Sequence, residues 1–256
     1  MSDPRTPAPT AEGPTMTTGQ TLTSIFFEPG DVFEALRVRP RFLIAAIIMT
    51  AALMLFTISF FQKVGFERVV TDAIESSPQT EQMSPEQKER AIAMQSSPIF
   101  KGIYYGSPLI VMAIIISAGA GLYLLGSVLM GRSLSYKQAL SVWTYSSMPP
   151  LLLAMLLNII LLFLKSPDDY DVVHASRRGL VQANLALFVD PKASPILASL
   201  LGSFDLFAFY GLFLAALGLR KVAKMPSGSA WTIVLAIWVF GVIARVAFAA
   251  ITGSAM

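Results

Sequence analysis

The stretch FLIAAIIMTAALMLFTISFF, residues 42–61, decides the fold, because it runs for twenty residues without a charged side chain. A helix needs about 20 consecutive apolar residues to cross the hydrocarbon core of a bilayer. In lipid every backbone amide must find its hydrogen-bond partner within the protein, so such a stretch is expected to be an α-helix. We therefore predict a membrane span here.

Four further apolar stretches have the same character. The five predicted spans are residues 42–61, 107–130, 140–164, 196–219 and 230–251. The composition agrees, since 54% of the 256 residues are hydrophobic and only 14% are charged, against roughly a quarter charged in soluble domains. The sequence thus predicts an all-α, polytopic membrane bundle of about five transmembrane helices over residues 42–251.

Two prolines interrupt the third predicted span. Pro149 and Pro150 lack backbone donors and disfavour a regular helix. One alternative is a kinked or broken helix that enters the membrane near Val142. The other is a short interfacial helix over residues 135–147, followed by a crossing over residues 149–164. A crossing over residues 149–164 would be only about 24 Å long, so we expect the kinked or broken helix.

The region before the first span has two parts. Residues 1–24 are rich in Pro, Thr and Ser and are predicted to be a disordered tail. Residues 25–41 are amphipathic and are predicted to form an interfacial segment, helical from about Asp31, that lies in the headgroup plane. Its basic residues, which anionic lipid would attract, are Arg37, Arg39 and Arg41.

The short connections between spans carry the denser positive charge, which favours a cytoplasmic N-terminus and an outside C-terminus. The expected location is the cell membrane, which for a bacterial protein would be the inner membrane. The two longer connections are predicted to lie on the other side. In the first, Ser84 to Gln87 read as a capping box that starts a helix over Pro85–Gln95. The second contains an apolar stretch, residues 180–189, interpreted as a surface helix.

Charged residues within the spans are the most informative polar positions. Asp205 in span four and Arg245 in span five lie at matching depths, about 21–23 Å from the cytoplasmic edge. Because an isolated charge at membrane depth is costly, we predict that they form a buried ion pair that sets helix register. Asn158 in span three falls in the same polar layer. The alternative interpretation of this layer is a proton or ion relay.

Small residues at close spacing predict faces where helices approach each other. The candidates in span two are Ser117, Gly119 and Gly121, and those in span four are Gly211 and Ala215. Packing inside the bundle is the expected use of these faces, and a homo-oligomer seam is the alternative.

Several classes of function lack their signatures. The chain has no cysteine, so thiolate metal sites and cysteine nucleophiles are excluded. Its one histidine, His174, is expected to be a solvated loop residue. No hydrolase, metalloprotease or phosphate-loop motif is present, so we expect neither an enzyme nor a cofactor. Basic residues are not clustered with aromatics, which argues against a nucleic-acid partner.

Four stretches, in this order, resemble bacterial members of the Yip-domain family of polytopic membrane proteins. They are FFEPGDVF at residues 26–33, SYKQAL at 135–140, ANLALFVDP at 183–191 and LLGSFDLF at 200–207. The resemblance implies five spans with the N-terminus in the cytoplasm and the C-terminus outside. Eukaryotic relatives interact with Ypt/Rab GTPases, but the resemblance does not carry that partner over to a bacterial chain.

These observations predict a non-enzymatic integral membrane scaffold or accessory protein. Its expected partners are the lipid bilayer and another membrane protein, such as an export system, or a second copy of itself. The alternative is a small oligomeric transporter or channel that uses the polar layer of Asp205, Arg245 and Asn158.

Overall fold

The computed structural model describes residues 16–77, 80, 82–191 and 193–253. Over these residues the regular structure is helical, apart from one isolated bridge between Asn184 and Asp205. The helices in chain order are α1 (Thr18–Ser24), α2 (Pro29–Val38), α3 (Leu43–Val64), α4 (Phe66–Glu75), α5 (Pro85–Gln95), α6 (Pro98–Leu129), α7 (Tyr136–Leu164), α8 (Val172–Arg178), α9 (Pro195–Leu201), α10 (Leu206–Val222) and α11 (Ser227–Thr252).

Four of these helices, α3, α6, α7 and α11, are long and apolar enough to cross a membrane. They contain the first, second, third and fifth predicted spans, which confirms the all-α membrane fold. Helix α6 extends the second span at its start, back to Pro98. The predicted helix over Pro85–Gln95 is also confirmed as α5, including the capping box between Ser84 and Gln87.

The fourth predicted span is not one continuous helix. Helix α9 ends at Leu201 and α10 begins at Leu206, so residues 202–205 interrupt the apolar stretch. Asp205 caps the second helix, which is why a new helix starts there. Helix α10 alone is about 26 Å long at 1.5 Å per residue, shorter than a hydrocarbon core of about 30 Å. The fourth predicted span is therefore divided between two helices.

Helix α7 runs unbroken through Pro149 and Pro150. The alternative of a separate interfacial helix before Pro149 is therefore wrong. Both prolines are buried, and a Cβ on Gly211 of α10 would lie 3.6 Å from Pro150 Cγ. Packing against a neighbouring helix thus holds the prolines inside α7, as can happen within a bundle.

Helices α3 and α7 run in the same direction. Near the end of α3, Lys63 Nζ donates to the carbonyl of Lys165 at 2.8 Å, just after the end of α7. Phe42, next to the start of α3, shares one groove with Tyr136 at the start of α7. Helix α10 runs opposite to α7, because its residue Gly211 faces Pro150 while Gly218, farther along, faces Val142 near the start of α7.

The N-terminal segment packs on the bundle, which corrects two expectations. Residues 18–24, assigned to the disordered tail, form α1, and Thr21 is fully buried with its Oγ1 3.0 Å from the Tyr145 hydroxyl. The rest of that tail, residues 1–15, lies outside the described residues. The apolar side of α2 packs against α10 and α7, so protein covers the face that was expected to contact lipid. Its fully buried residues are Val32, Phe33 and Leu36.

Two apolar cores lie at opposite ends of the bundle. The larger one joins α1 and α2 to α3, α6, α7, α10 and α11. The smaller one joins the ends of α3 and α7 to α4 and α8, and an ion pair between Arg68 and Asp168 at 2.8 Å ties α4 to the segment before α8. The predicted surface helix over residues 180–189 is wrong, because only the short 3-10 turn Leu185–Phe188 forms there.

The small residues of the predicted faces have different surroundings. Gly119 is buried, and a Cβ there would come within 2.1 Å of the Trp143 ring on α7. Gly211 faces α7 and Ala215 is buried. By contrast, Ser117 is exposed and Gly121 has no atom within 4 Å of a Cβ position. The face of α6 therefore depends on Gly119.

Substitution Gly119→Ala is expected to lower the free energy of unfolding by about 1–3 kcal/mol, because the new methyl group overlaps the Trp143 ring. Gly121→Ala is the matched control, since it adds the same methyl group to open space on the same helix. It should be neutral or slightly stabilising. Thermal unfolding of both variants in detergent measures the difference, and equal melting temperatures would contradict the packing argument.

Candidate functional site

Two residues of the predicted polar layer, Asp205 and Asn158, act as anchors for the connecting segment, which is the part of the chain that joins α8 to α9. Asp205 is the first. Its Oδ1 accepts hydrogen bonds from the amides of Phe207 at 2.8 Å and Ala208 at 3.1 Å. The next free amide, that of Leu206, donates to the carbonyl of Ala183 at 3.0 Å. Asp205 thus satisfies the start of α10 and brings residues 183–184 against the helix break.

Asn158 is the second anchor. Its side chain is buried, and its Nδ2 donates to the Ala154 carbonyl one turn earlier in α7 at 2.8 Å. Its Oδ1 accepts from the amides of Leu180 and Val181, the latter at 3.0 Å. The hydrogen bond within α7 orients the amide group, and the other two hold the segment after α8 against the bundle.

The predicted ion pair between Asp205 and Arg245 is not formed. Among the ion pairs of the described residues none involves Asp205 or Arg245. The depth argument assumed an uninterrupted span four, whereas Asp205 lies at the start of a new helix and its carboxylate is used locally. Arg245 is exposed on α11. Asp205 and Asn158 therefore make separate hydrogen bonds, and no ion pair of the described residues joins either of them to Arg245.

Three further residues shape this region and were not singled out from the sequence. Gly179 has φ +84°, and a Cβ there would also lie 2.5 Å from Asn158 Oδ1. A Cβ on Gly202 would lie 3.2 Å from Nη1 of Arg178. The sequence does contain a signal for Gly179, because it directly follows Arg177 and Arg178. A glycine after basic residues is common at the C-terminus of a helix.

The predicted basic interfacial residues have protein partners in two of three cases. Arg37 Nε lies 3.0 Å from a carboxylate oxygen of Glu34, and Arg41 donates to Thr18 Oγ1 at 3.0 Å. Arg39 is exposed. Their attraction to anionic lipid stays a prediction.

His174 is half-buried in α8, and its Nε2 lies 3.2 Å from Gln182 Nε2. Burial lowers the pKa of His174, assisted by the charge of Arg178, so the ring is less solvated than expected. No group of three or more His, Cys, Asp or Glu residues that could hold a metal occurs in the described part of the chain.

The apolar helices and the broken helix with a buried turn define a multi-pass helical membrane protein. The family model of the Yip1 domain matches residues 23–248. The chain therefore belongs to the Yip1 domain family. No curated protein and no solved structure matches the chain significantly.

Substitution Asn158→Ala should release the connecting segment, because it removes the shared acceptor of two amides. We expect a loss of about 2–4 kcal/mol in the free energy of unfolding and faster hydrogen exchange at Leu180 and Val181. Asn184→Ala is the control, since the Asn184 side chain accepts from the Ala186 amide in its own turn. Unchanged exchange at Leu180 and Val181 would contradict the anchor.

The capping role of Asp205 predicts different losses of stability for two substitutions at this position. Asp205→Asn should be nearly neutral, because asparagine is an equally good N-cap, whereas Asp205→Ala should lower stability by about 1 kcal/mol. Combined with Arg245→Gln, either change should be additive within about 0.5 kcal/mol. Chemical or thermal unfolding of the single and double variants measures this. A larger coupling energy would contradict this prediction and indicate that Asp205 and Arg245 form an ion pair.

Proposed function

We propose that this Yip1 domain protein is a non-enzymatic membrane scaffold or accessory protein that binds another membrane protein. The observation that supports it is a folded platform at one end of the bundle. The platform consists of α1, α2 and the turn 223–226 between α10 and α11. We place it on the cytoplasmic side of the cell membrane, because the basic residues of the short connections lie at this end.

The platform is joined firmly to the spanning helices. The buried hydroxyls of Thr21 and Tyr145 lie 3.0 Å apart, which connects α1 to α7. The Gln138 side chain donates to the Arg37 carbonyl at 2.9 Å, which connects α7 to α2. A ring carbon of Phe33 lies 2.9 Å from a Cβ position on Gly218, so only glycine fits there. Such a surface is preorganised and loses little entropy when it binds.

An ionic contact joins α2 to α10. Glu34 lies 3.0 Å from Arg37 and 3.5 Å from Lys221. Burial raises the pKa of Glu34, but its hydrogen bond from Arg37 and the charge of Lys221 outweigh burial, so its pKa lies below the ordinary value. At neutral pH the carboxylate is therefore charged and contributes to holding the platform in place. Because these groups are partly exposed, the contribution of each pair is small.

The edge of the platform presents an exposed aromatic residue. Phe27 is 86% exposed although it lies in the turn between α1 and α2, whose neighbours Ile25 and Val32 are fully buried. Aromatic residues held on rigid backbone are frequent anchors of protein interfaces. Phe27 is thus the side chain that we expect to insert into a pocket of the partner.

The test is a pull-down of the tagged full-length chain from its native membranes in mild detergent, with mass spectrometry. The wild type should recover a membrane protein in stoichiometric amount, and Phe27→Ala should reduce its recovery about tenfold, since an anchor residue contributes roughly 1–3 kcal/mol. Phe188→Ala is the matched control, because Phe188 is 84% exposed at the opposite end of the bundle.

Recovery that is equal for Phe27→Ala and wild type would contradict the platform as the binding surface. Recovery of the chain alone, as a defined homo-oligomer that Phe27→Ala dissociates, would identify a second copy as the partner. A monomer without any partner would contradict the scaffold function.

A further inference from the structure

Arg178 has an unusual position at the end of α8. Its Nη1 reaches the break between α9 and α10, where it lies 3.2 Å from a Cβ position on Gly202. Its Nη2 is buried and has no hydrogen-bond partner. A buried donor without an acceptor is costly, and native structures rarely keep one without a reason. The guanidinium group is therefore held in place with one donor unused.

A second arginine acts on the same place. Arg245 lies on α11, the helix against which α9 packs. Burial and the positive charge of Arg245 lower the pKa of Arg178. Neither arginine takes part in any ion pair among the described residues, and the nearby Asp205 is engaged by the amides of α10. The two positive charges thus act on each other, and none of the ion pairs among the described residues neutralises either.

This arrangement fits an anion with several acceptor oxygens. A phosphate group can accept from two guanidinium groups at once, and such charge-assisted hydrogen bonds are among the strongest in proteins. It would offer acceptor oxygens to the guanidinium group of Arg178 and offset the positive charge of the two arginines. A single carboxylate would offer fewer acceptors to the same donors.

The position of the pair in the fold indicates where the phosphate comes from. Arg245 lies about two turns before the end of α11, roughly 10 Å from Thr252, while Arg178 belongs to a connecting segment. The surface of α11 beyond Arg245 is apolar and exposed at Phe248 and Ile251. A ligand there meets acyl-chain surroundings on one side and the connecting segment on the other, as a phospholipid does.

We propose that Arg178 and Arg245 bind the phosphate group of an anionic phospholipid at the junction of α8, α9 and α11. Because Gly202 has no side chain, it leaves room for the side chain of Arg178. The anchors at Asn158 and Asp205 hold the parts of the chain around this site in place. The site is at the opposite end of the bundle from the platform, so it does not depend on the proposed scaffold function.

Thermal unfolding of the full-length protein in detergent tests the site. The probes are phosphatidylglycerol, phosphatidylcholine and inorganic phosphate, added separately. Phosphatidylglycerol should raise the melting temperature of the wild type more than phosphatidylcholine does. Arg178→Gln and Arg245→Gln should each weaken the apparent affinity for phosphatidylglycerol about tenfold, because each removes one charge-assisted contact. Arg177→Gln, an exposed neighbour in α8, is the matched control and should behave as wild type.

The compared quantity is the increase caused by the lipid, so a change in the baseline stability of a variant does not affect the result. If Arg178→Gln does not fold, Arg245→Gln carries the test, because the Arg245 side chain is exposed. An equal increase in all variants would overturn the site. An equal, Arg178-dependent increase with inorganic phosphate alone would overturn the lipid as its ligand and identify a soluble anion instead.

Discussion

The structure depends on the need to pair every backbone amide at membrane depth. The break between α9 and α10 leaves amides at the start of α10 that an unbroken helix would have paired, and three of them have partners outside the helix backbone. Asp205 accepts from two of them, and the carbonyl of Ala183 accepts from Leu206. The break is therefore compatible with a membrane only because the connecting segment after α8 reaches it. Asn158 on α7 holds the other part of that segment through Leu180 and Val181.

The two ends of the bundle are built differently. At the platform end, the N-terminal helices add buried apolar residues to the core of the spanning helices. At the other end, a smaller apolar core holds α4 and α8, and side-chain acceptors and one ion pair hold the connecting turns. The first arrangement produces a broad, preorganised surface, which suits binding of a protein. The second leaves polar groups beside the ends of the long apolar helices, which suits the proposed lipid site.

Much of the fold could be predicted from the sequence because membrane spans have a strong signal. Four apolar stretches and the capping box of α5 required only local information. The break before Asp205 was missed because mean hydropathy does not register a short turn, although an aspartate directly before an apolar run is an N-cap signal. The apolar side of α2 was assigned to lipid, since sequence alone does not distinguish a face buried in protein from one buried in lipid. The fit of Phe33 against Gly218 depends on residues far apart in the chain.

The misplaced ion pair shows a general difficulty with charges in apolar stretches. Matching two charges by depth assumes that both helices are continuous, and a glycine and an aspartate within residues 202–205 are enough to break that assumption. A carboxylate at a new helix start is stabilised by free amides and by the helix dipole, so it needs no arginine. Arg245 then takes part in no ion pair among the described residues, and its positive charge acts on Arg178. Under the proposed lipid site, the negative charge beside the two arginines comes from the membrane, since the Asp205 carboxylate accepts from the amides of α10 instead.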